Sequence, residues 1–317
     1  MKEFKTDRCL GCYKPIDQEG LYHDNCSLRL FDMKTPPSLD NSIEQLPVIK
    51  KTMIANRLTI TGVQKKLSLW QDPSDKKRLT IVGGLGGTYI LKPQSDDYPS
   101  LPENEDLCMH LAELCGIKTA KHGLLPTTKG ELAYVTKRFD RLKKQKLAVE
   151  DLCQLSQLQT EQKYRSSHER AGKIIKDLSS IPGDDVLRFY QLTLFSFITG
   201  NNDMHLKNFM LITNNPKKIV LSPAYDLLSI RLVLSKNDDP EELALSVDGR
   251  RNKLTIQNFQ NLATYLGIPA KAASYALKKI SSKSQSMNEM IDRSFLSIEK
   301  KEVFKELIET NLNGLSK

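Results

Sequence analysis

What this chain lacks removes several classes of protein before any motif is considered. No apolar run is long enough to span a bilayer: the longest, residues 189–199 (FYQLTLFSFIT), is short and broken by Gln, Thr and Ser. The first residues, MKEFKTDRCLGC, hold no apolar core of a secretory signal, which predicts a reducing, cytoplasmic setting and no disulfides. There is no internal repeat and no low-complexity tract, so solenoids and extended disordered scaffolds are excluded. Lys and Arg number 47 against 38 Asp and Glu, a net charge of +9, yet no long basic run stands out. Dispersed basic residues of this kind predict solvated faces rather than a nucleic-acid-binding arm. What remains is a 317-residue chain, 39% hydrophobic, able to bury one large core or two modest ones.

The six cysteines divide unevenly. Cys108, Cys115 and Cys153 stand alone in apolar or amphipathic surroundings and are expected in the core. Cys9, Cys12, His23 and Cys26 form C-x2-C-x10-H-x2-C, a spacing that suits a closed structural Zn²⁺ site of three thiolates and one imidazole. The competing reading packs these cysteines as small apolar groups under a loop. A Pro-bearing stretch, residues 33–47, reads as a linker. Alternation on both sides of Gly62, in residues 57–70, predicts two strands meeting at a tight turn. Further strands are expected at residues 78–82, 88–91 and 132–138, giving an antiparallel sheet. A helix is expected beyond Glu103, and helices dominate later, over residues 149–158, 169–178, 184–199, 256–266, 270–280 and 286–309. Sheet first and helices after implies α+β, with segments 1–47, 48–140 and 141–317 as N-terminal module, sheet-bearing part and helical part.

The densest chemistry lies in residues 200–208, GNNDMHLKN, directly after an apolar helix. Asp203, His205, Lys207 and Asn208 share this polar stretch, and Asp226 follows in SPAYDLLS behind an apolar run. An Asp that takes a hydroxyl proton, with an Asn and a second Asp as hard oxygen ligands for Mg²⁺, is the donor set of phosphoryl transfer. Lys92, in TYILKPQ at the end of a predicted strand, adds a fixed positive charge for nucleotide phosphates. Taken singly, each residue reads as a turn former, a solvated lysine or a structural histidine; their joint order makes the case. Two Gly-bearing stretches compete for the phosphate loop. Residues 83–87 (GGLGG) read as a hairpin turn, whereas residues 61–66 (TGVQKK) sit at the first turn of the sheet, where backbone N–H groups and lysines can meet phosphates.

At TITGVQKKLSL, YILKPQS, LPENEDLCMHLAE, YVTKRFDR, EDLCQL, GNNDMHLKN and SPAYDLL, the chain resembles the HipA-like serine/threonine kinases of bacterial toxin–antitoxin systems, over residues 57–268. The resemblance implies a two-lobe, protein-kinase-like fold with a small sheet-bearing N-lobe and a larger helical C-lobe. It also implies ATP and Mg²⁺ as cofactors. By resemblance Asp203 is the catalytic acid/base, with His205 and Lys207 its companions, and Asn208 and Asp226 are the Mg²⁺ ligands. Lys92 positions the α and β phosphates, with Glu103 or Glu105 as its ion-pair partner. Thr61, Gly62, Val63, Gln64 and Lys65 form the phosphate loop, and Lys137 and Phe139 border the adenine. Thr59 and Thr61 match the position where relatives phosphorylate themselves. Only about 56 residues precede Arg57, as in the short HipT-like members, which implies a separate small-domain partner and a helix-turn-helix antitoxin, with DNA reached through the antitoxin. The implied substrate is an aminoacyl-tRNA synthetase and the implied outcome growth arrest. Two rivals stand beside this reading: a small-molecule phosphotransferase, and a non-catalytic subunit of an antitoxin–DNA complex.

Overall fold

The computed structural model describes residues 4–16, 20–39, 66–71, 75–82, 87–142, 145–214 and 217–316. Contacts divide the chain into two compact units. The first comprises Met1–Leu107, Ala120–Arg138 and Arg293–Phe295; the second comprises Cys108–Thr119, Phe139–Asp292 and Leu296–Lys317.

The first unit is built on a six-stranded sheet of β1 (Ser38–Leu39), β2 (Leu67–Gln71), β3 (Arg78–Ile81), β4 (Tyr89–Lys92), β5 (His122–Pro126) and β6 (Leu132–Lys137), in the order β1-β3-β2-β4-β6-β5. Its pairings are antiparallel except that β1, inside the expected linker, runs parallel to β3 at the edge. One expectation is corrected here. Strands β3 and β4, expected to join in a hairpin turn at residues 83–87, are not neighbours: both pair with β2 and lie on either side of it, and residues 83–86 are outside the described residues. Gly87, just before β4, lies against β2, its N–H donating to Ser68 Oγ at 3.1 Å. A Cβ there would lie 2.2 Å from Ser68 Oγ and 2.7 Å from the Leu69 carbonyl, so only glycine fits. The short helix α1 (Asp24–Phe31) belongs to this unit, and Leu30 and Phe31 on it are buried.

Helix α2 (Leu101–Leu114) is buried nearly all round, including the polar run Glu103, Asn104, Glu105 and Asp106. Buried carboxylates require partners, and those partners define much of the site chemistry below.

The second unit is mainly helical and includes a short antiparallel ribbon of β7 (Arg141–Leu142) and β8 (Gln145–Lys146). Residues 149–158, expected as one helix, instead give strand β9 (Val149–Asp151) and the short α3 (Leu152–Leu155). Pairing with β10 (Met210–Asn214), itself paired with β11 (Lys218–Leu221), holds the first three residues extended. The switch to helix comes at Asp151, which caps α3 through a reciprocal bond set with Gln154. Helix α4 (His168–Leu178) is capped by Ser167, and its Gly172 lets the Leu266 side chain approach to where a Cβ would be only 2.5 Å away. Helix α5 (Pro182–Ile198) starts with Pro182 in its first turn, followed by Asp184 and Asp185 near the positive end of its dipole. Asp185 is fully buried and receives bonds from Ser179 Oγ (2.6 Å), the Leu221 N–H (2.7 Å) and Arg188 (2.6 Å), tying α5 to β11. Helix α6 (Ile256–Leu266) ends on Gly267 at φ 76°, and α7 (Ala270–Ser281) follows. The expected tail helix is two, α8 (Ser284–Arg293) and α9 (Ile298–Gly314). No helix among the described residues is long and apolar enough to cross a membrane.

Candidate active site

In the second unit, α5 delivers the chain into a turn that begins at Gly200 (φ 68°), where a Cβ would lie 2.7 Å from Arg231 Cγ. Met204 and Leu206 are fully buried and pin the turn, so Asp203 and His205 beside them are held by apolar packing. Within it, Asn208 Nδ2 donates to the Asp203 carbonyl (2.9 Å), and the His205 N–H donates to the same oxygen (2.8 Å). The Asp203 N–H is received by Asn201 Oδ1 at 3.2 Å. Because the Asn208 amide nitrogen is engaged, its Oδ1 is the group left to accept or to ligate. Tyr164 donates its hydroxyl to Asp203 Oδ1 at 2.6 Å, and its ring meets the edge of buried His205 at 5.1 Å. A hydroxyl donated to a carboxylate oxygen fixes that oxygen's orientation. Arg251 in turn fixes Tyr164 by donating to its carbonyl at 2.6 Å.

Asp226 reaches the same region through its neighbour. Tyr225 donates its buried hydroxyl to the Lys207 carbonyl at 2.6 Å, which ties the segment carrying Asp226 to the one carrying Asn208. Burial holds the Tyr225 hydroxyl well above the usual phenol range, with the Asp226 charge adding to the effect, so it stays a donor at neutral pH. Asp226 sits at φ 58°, a left-handed conformation that Asp tolerates better than most residues. The carboxamide oxygen of Asn208 and the carboxylate of Asp226 are hard oxygen donors of the kind Mg²⁺ takes. Lys207 turns its amine to Thr160 Oγ1 (3.4 Å) and lies 3.9 Å from Asp151. Phe139 packs on Tyr225 with ring centroids 5.6 Å apart.

In the first unit, β4 places Lys92 opposite Tyr134 on β6, and the amine lies 5.5 Å from that ring's centre. The partner left open between Glu103 and Glu105 is Glu105, whose two carboxylate oxygens are 2.6 and 2.7 Å from the Lys92 amine. The side chains are 4% and 1% exposed. Glu103 is engaged elsewhere, accepting from Gln94 Nε2 at 2.8 and 2.9 Å. Lys137 is ion-paired with Asp32. Thr59, Thr61, Gly62, Val63, Gln64 and Lys65 lie outside the described residues.

Several partners were missed from sequence: Tyr164 on Asp203, Tyr225 on the Lys207 carbonyl, and the pair Asp106–His122. The last is fully buried at 2.6 Å, with the Tyr13 hydroxyl on the other carboxylate oxygen at 2.5 Å. Each joins residues distant in sequence, and no local pattern marks them.

The Cys/His group also assembles. The ligand atoms of Cys9, Cys12, His23 and Cys26 all lie within 4.8 Å of one another. Bonds from Cys26 and Cys9 hold the Cys12 thiol below its usual range, and the reciprocal bond to Cys12 holds Cys26 above it. Cys108, Cys115 and Cys153 are buried, as expected of core cysteines.

Comparison with known proteins places this geometry in context. Residues 58–291 match the HipA-like C-terminal domain family. The chain is 34% identical over 199 residues to "Putative kinase Y4dM" of Sinorhizobium fredii, covering 59% of this chain and 48% of that protein. It is 28% identical over 239 residues to the serine/threonine-protein kinase toxin HipA of Shewanella oneidensis, covering 67% of this chain and 52% of that protein. The chain thus spans about half the length of these relatives. Among solved structures, HipA in the HipA, HipB and operator DNA complex of Shewanella oneidensis superposes with a TM-score of 0.69 at 22% identity, covering 86% of this chain and 69% of that one. The Helicobacter pylori proinflammatory kinase CtkA gives 0.54 at 16%, covering 74% of this chain and 87% of that one. At these identities the two neighbours establish the fold, a kinase-like α+β architecture.

Proposed function

The chain belongs to the HipA-like C-terminal domain family, and from that premise we propose that it is an ATP- and Mg²⁺-dependent serine/threonine kinase, the toxin of a toxin–antitoxin module. The observation that carries the reading is the Asp203 turn: an acidic side chain fixed by the Tyr164 hydroxyl, with its own carbonyl tied to Asn208.

In this reading Asp203 accepts the proton of a substrate hydroxyl as that oxygen bonds to the γ-phosphorus of ATP, and ADP leaves with the electrons of the broken P–O bond. Asn208 and Asp226 hold Mg²⁺, which supplies positive charge against the phosphate oxygens. Lys92, oriented by Glu105, meets the α and β phosphates. Phe139 and the backbone at Lys137 border the adenine, and His205 and Lys207 shape the turn. On the same resemblance, Thr61, Gly62, Val63, Gln64 and Lys65 form the phosphate loop, with Thr59 and Thr61 as self-phosphorylation sites. The protein substrate is an aminoacyl-tRNA synthetase. The partners are a small-domain protein and a helix-turn-helix antitoxin that carries the DNA contact. The Shewanella complex, which pairs HipA with HipB and operator DNA, supports the antitoxin part of this reading.

Asp203→Asn should keep nucleotide binding and thermal stability while phosphoryl transfer falls about 10²–10⁴-fold, because the hydroxyl loses its proton acceptor. Asp226→Asn should weaken Mg²⁺–ATP binding as well, measurable by calorimetric titration. Transfer at the wild-type rate by Asp203→Asn would overturn the assignment.

A further inference from the structure

Cys9 and Cys12 meet His23 and Cys26 as four soft or borderline donors, and nothing in phosphoryl transfer uses them. From their convergence we infer that Cys9, Cys12, His23 and Cys26 bind one Zn²⁺ as a closed structural site, and that this site braces the sheet-bearing unit at the helix carrying Glu105.

The donor set comes first. Three thiols and one imidazole, every ligand atom within 4.8 Å of the others, fit the edges of a tetrahedron with Zn–S near 2.3 Å and Zn–N near 2.0 Å. Apolar packing does not account for the arrangement, since Cys12, His23 and Cys26 are all partly exposed. The backbone around Cys9 is turned toward its sulfur, with the Gly11 N–H at 3.4 Å and the His23 N–H at 3.2 Å, bonds that stabilise a metal-bound thiolate. His23 lies with Nε2 2.9 Å from the Pro15 carbonyl and Nδ1 3.4 Å from Cys12 Sγ. A proton on Nε2, donated to that carbonyl, leaves the Nδ1 lone pair for the metal, the outer-shell arrangement that fixes a ligating histidine. Gly11 is required by close approach: a Cβ there would sit 2.6 Å from the Tyr22 ring and 3.1 Å from Cys26 Cβ.

The loop is also anchored to the sheet. Tyr22 donates its hydroxyl to the Leu124 carbonyl on β5 at 2.6 Å, and the Leu124 N–H returns to the Leu10 carbonyl at 3.3 Å. Tyr13, directly after Cys12, is held at φ 62° and donates its hydroxyl to Asp106, the neighbour of Glu105 on α2. A left-handed Tyr is strained and persists only where surroundings over-determine it. The Cys9 carbonyl accepting the Tyr13 N–H at 2.8 Å, the Asp106 bond and a metal fixing Cys12 together do so.

The test uses the full chain, purified under reducing conditions without chelator, and reads metal rather than phosphoryl transfer, so it stands or falls independently of the kinase reading. Elemental analysis should return one zinc per chain, and exchange with Co²⁺ should give the visible bands of a tetrahedral, thiolate-bound cobalt. Cys26→Ser should reduce bound zinc at least tenfold, whereas His23→Cys, which keeps four ligands, should retain it. Tyr13→Phe should keep the zinc and lower the melting temperature, because it cuts only the link to Asp106. Wild-type protein without stoichiometric zinc, or holding iron in its place, overturns the site, as does a Cys26→Ser variant that keeps its full zinc. A Tyr13→Phe variant as stable as wild type overturns the bracing role.

Discussion

The two units hold their chemistry-bearing side chains in different ways. In the sheet-bearing unit the charges are buried and paired: Lys92 with Glu105, and His122 with Asp106. In the helical unit Asp203, His205 and Asn208 sit on a turn fixed by apolar neighbours and by bonds to backbone carbonyls, and Asp203 is only partly buried. The difference teaches where substitutions should register. A buried charge left without its partner costs stability, whereas a carboxylate on a pinned turn can be neutralised with little structural consequence.

The largest effect expected from that contrast is at Lys92. Lys92→Met takes the ammonium away from the buried Glu105 carboxylate and should destabilise the chain by about 3–5 kcal/mol, read as a fall in the urea midpoint. Adding Glu105→Leu should recover most of that stability and none of the phosphoryl transfer. A loss below about 1 kcal/mol in the single variant would erase the contrast between the units.

A second effect sharpens it from the helical side, where burial of a histidine outweighs the Glu169 charge beside it. Burial pushes His168 down to about 4 from an ordinary value of 6.5. Below pH 6.5 the unfolded chain takes up a proton that the native state refuses, so stability should fall as pH drops from about 6.5 to about 4. The total loss is about 3 kcal/mol. His168→Gln should remove that slope whatever it does to the plateau; an unchanged slope would reassign it to other groups. The smallest effect belongs to Tyr164→Phe, which removes the hydroxyl on Asp203. Transfer should fall about tenfold, because the carboxylate loses the bond that fixes its orientation. An unchanged rate would reduce Tyr164 to packing.

Much of this architecture can be read from local pattern, and the exceptions have physical causes. Helix α6 occupies the residues its 3.6-residue periodicity predicts, and Gly267 stops it. Residues 149–158 break the expectation because a pairing with β10, some 60 residues away, outweighs local helical preference. The glycine-rich connection at residues 83–87 misleads for a related reason: a hairpin reading assumes that sequential strands are neighbours, and β2 intervenes. The acidic and amide residues of GNNDMHLKN are legible because they crowd one short polar stretch after an apolar helix. Tyr164, Tyr225 and the Asp106–His122 pair are not, since what gives them a role is a partner brought close only by folding.

The most direct test of the central claim offers the purified chain, with Mg²⁺ and ATP labelled at the γ-phosphate, to a bacterial lysate and separately to a panel of small metabolites, with Asp203→Asn run beside it. The account predicts label on serine or threonine of a discrete lysate protein, none on the metabolites, and none with the variant. Label confined to a metabolite, or equal labelling by wild type and Asp203→Asn, would contradict it.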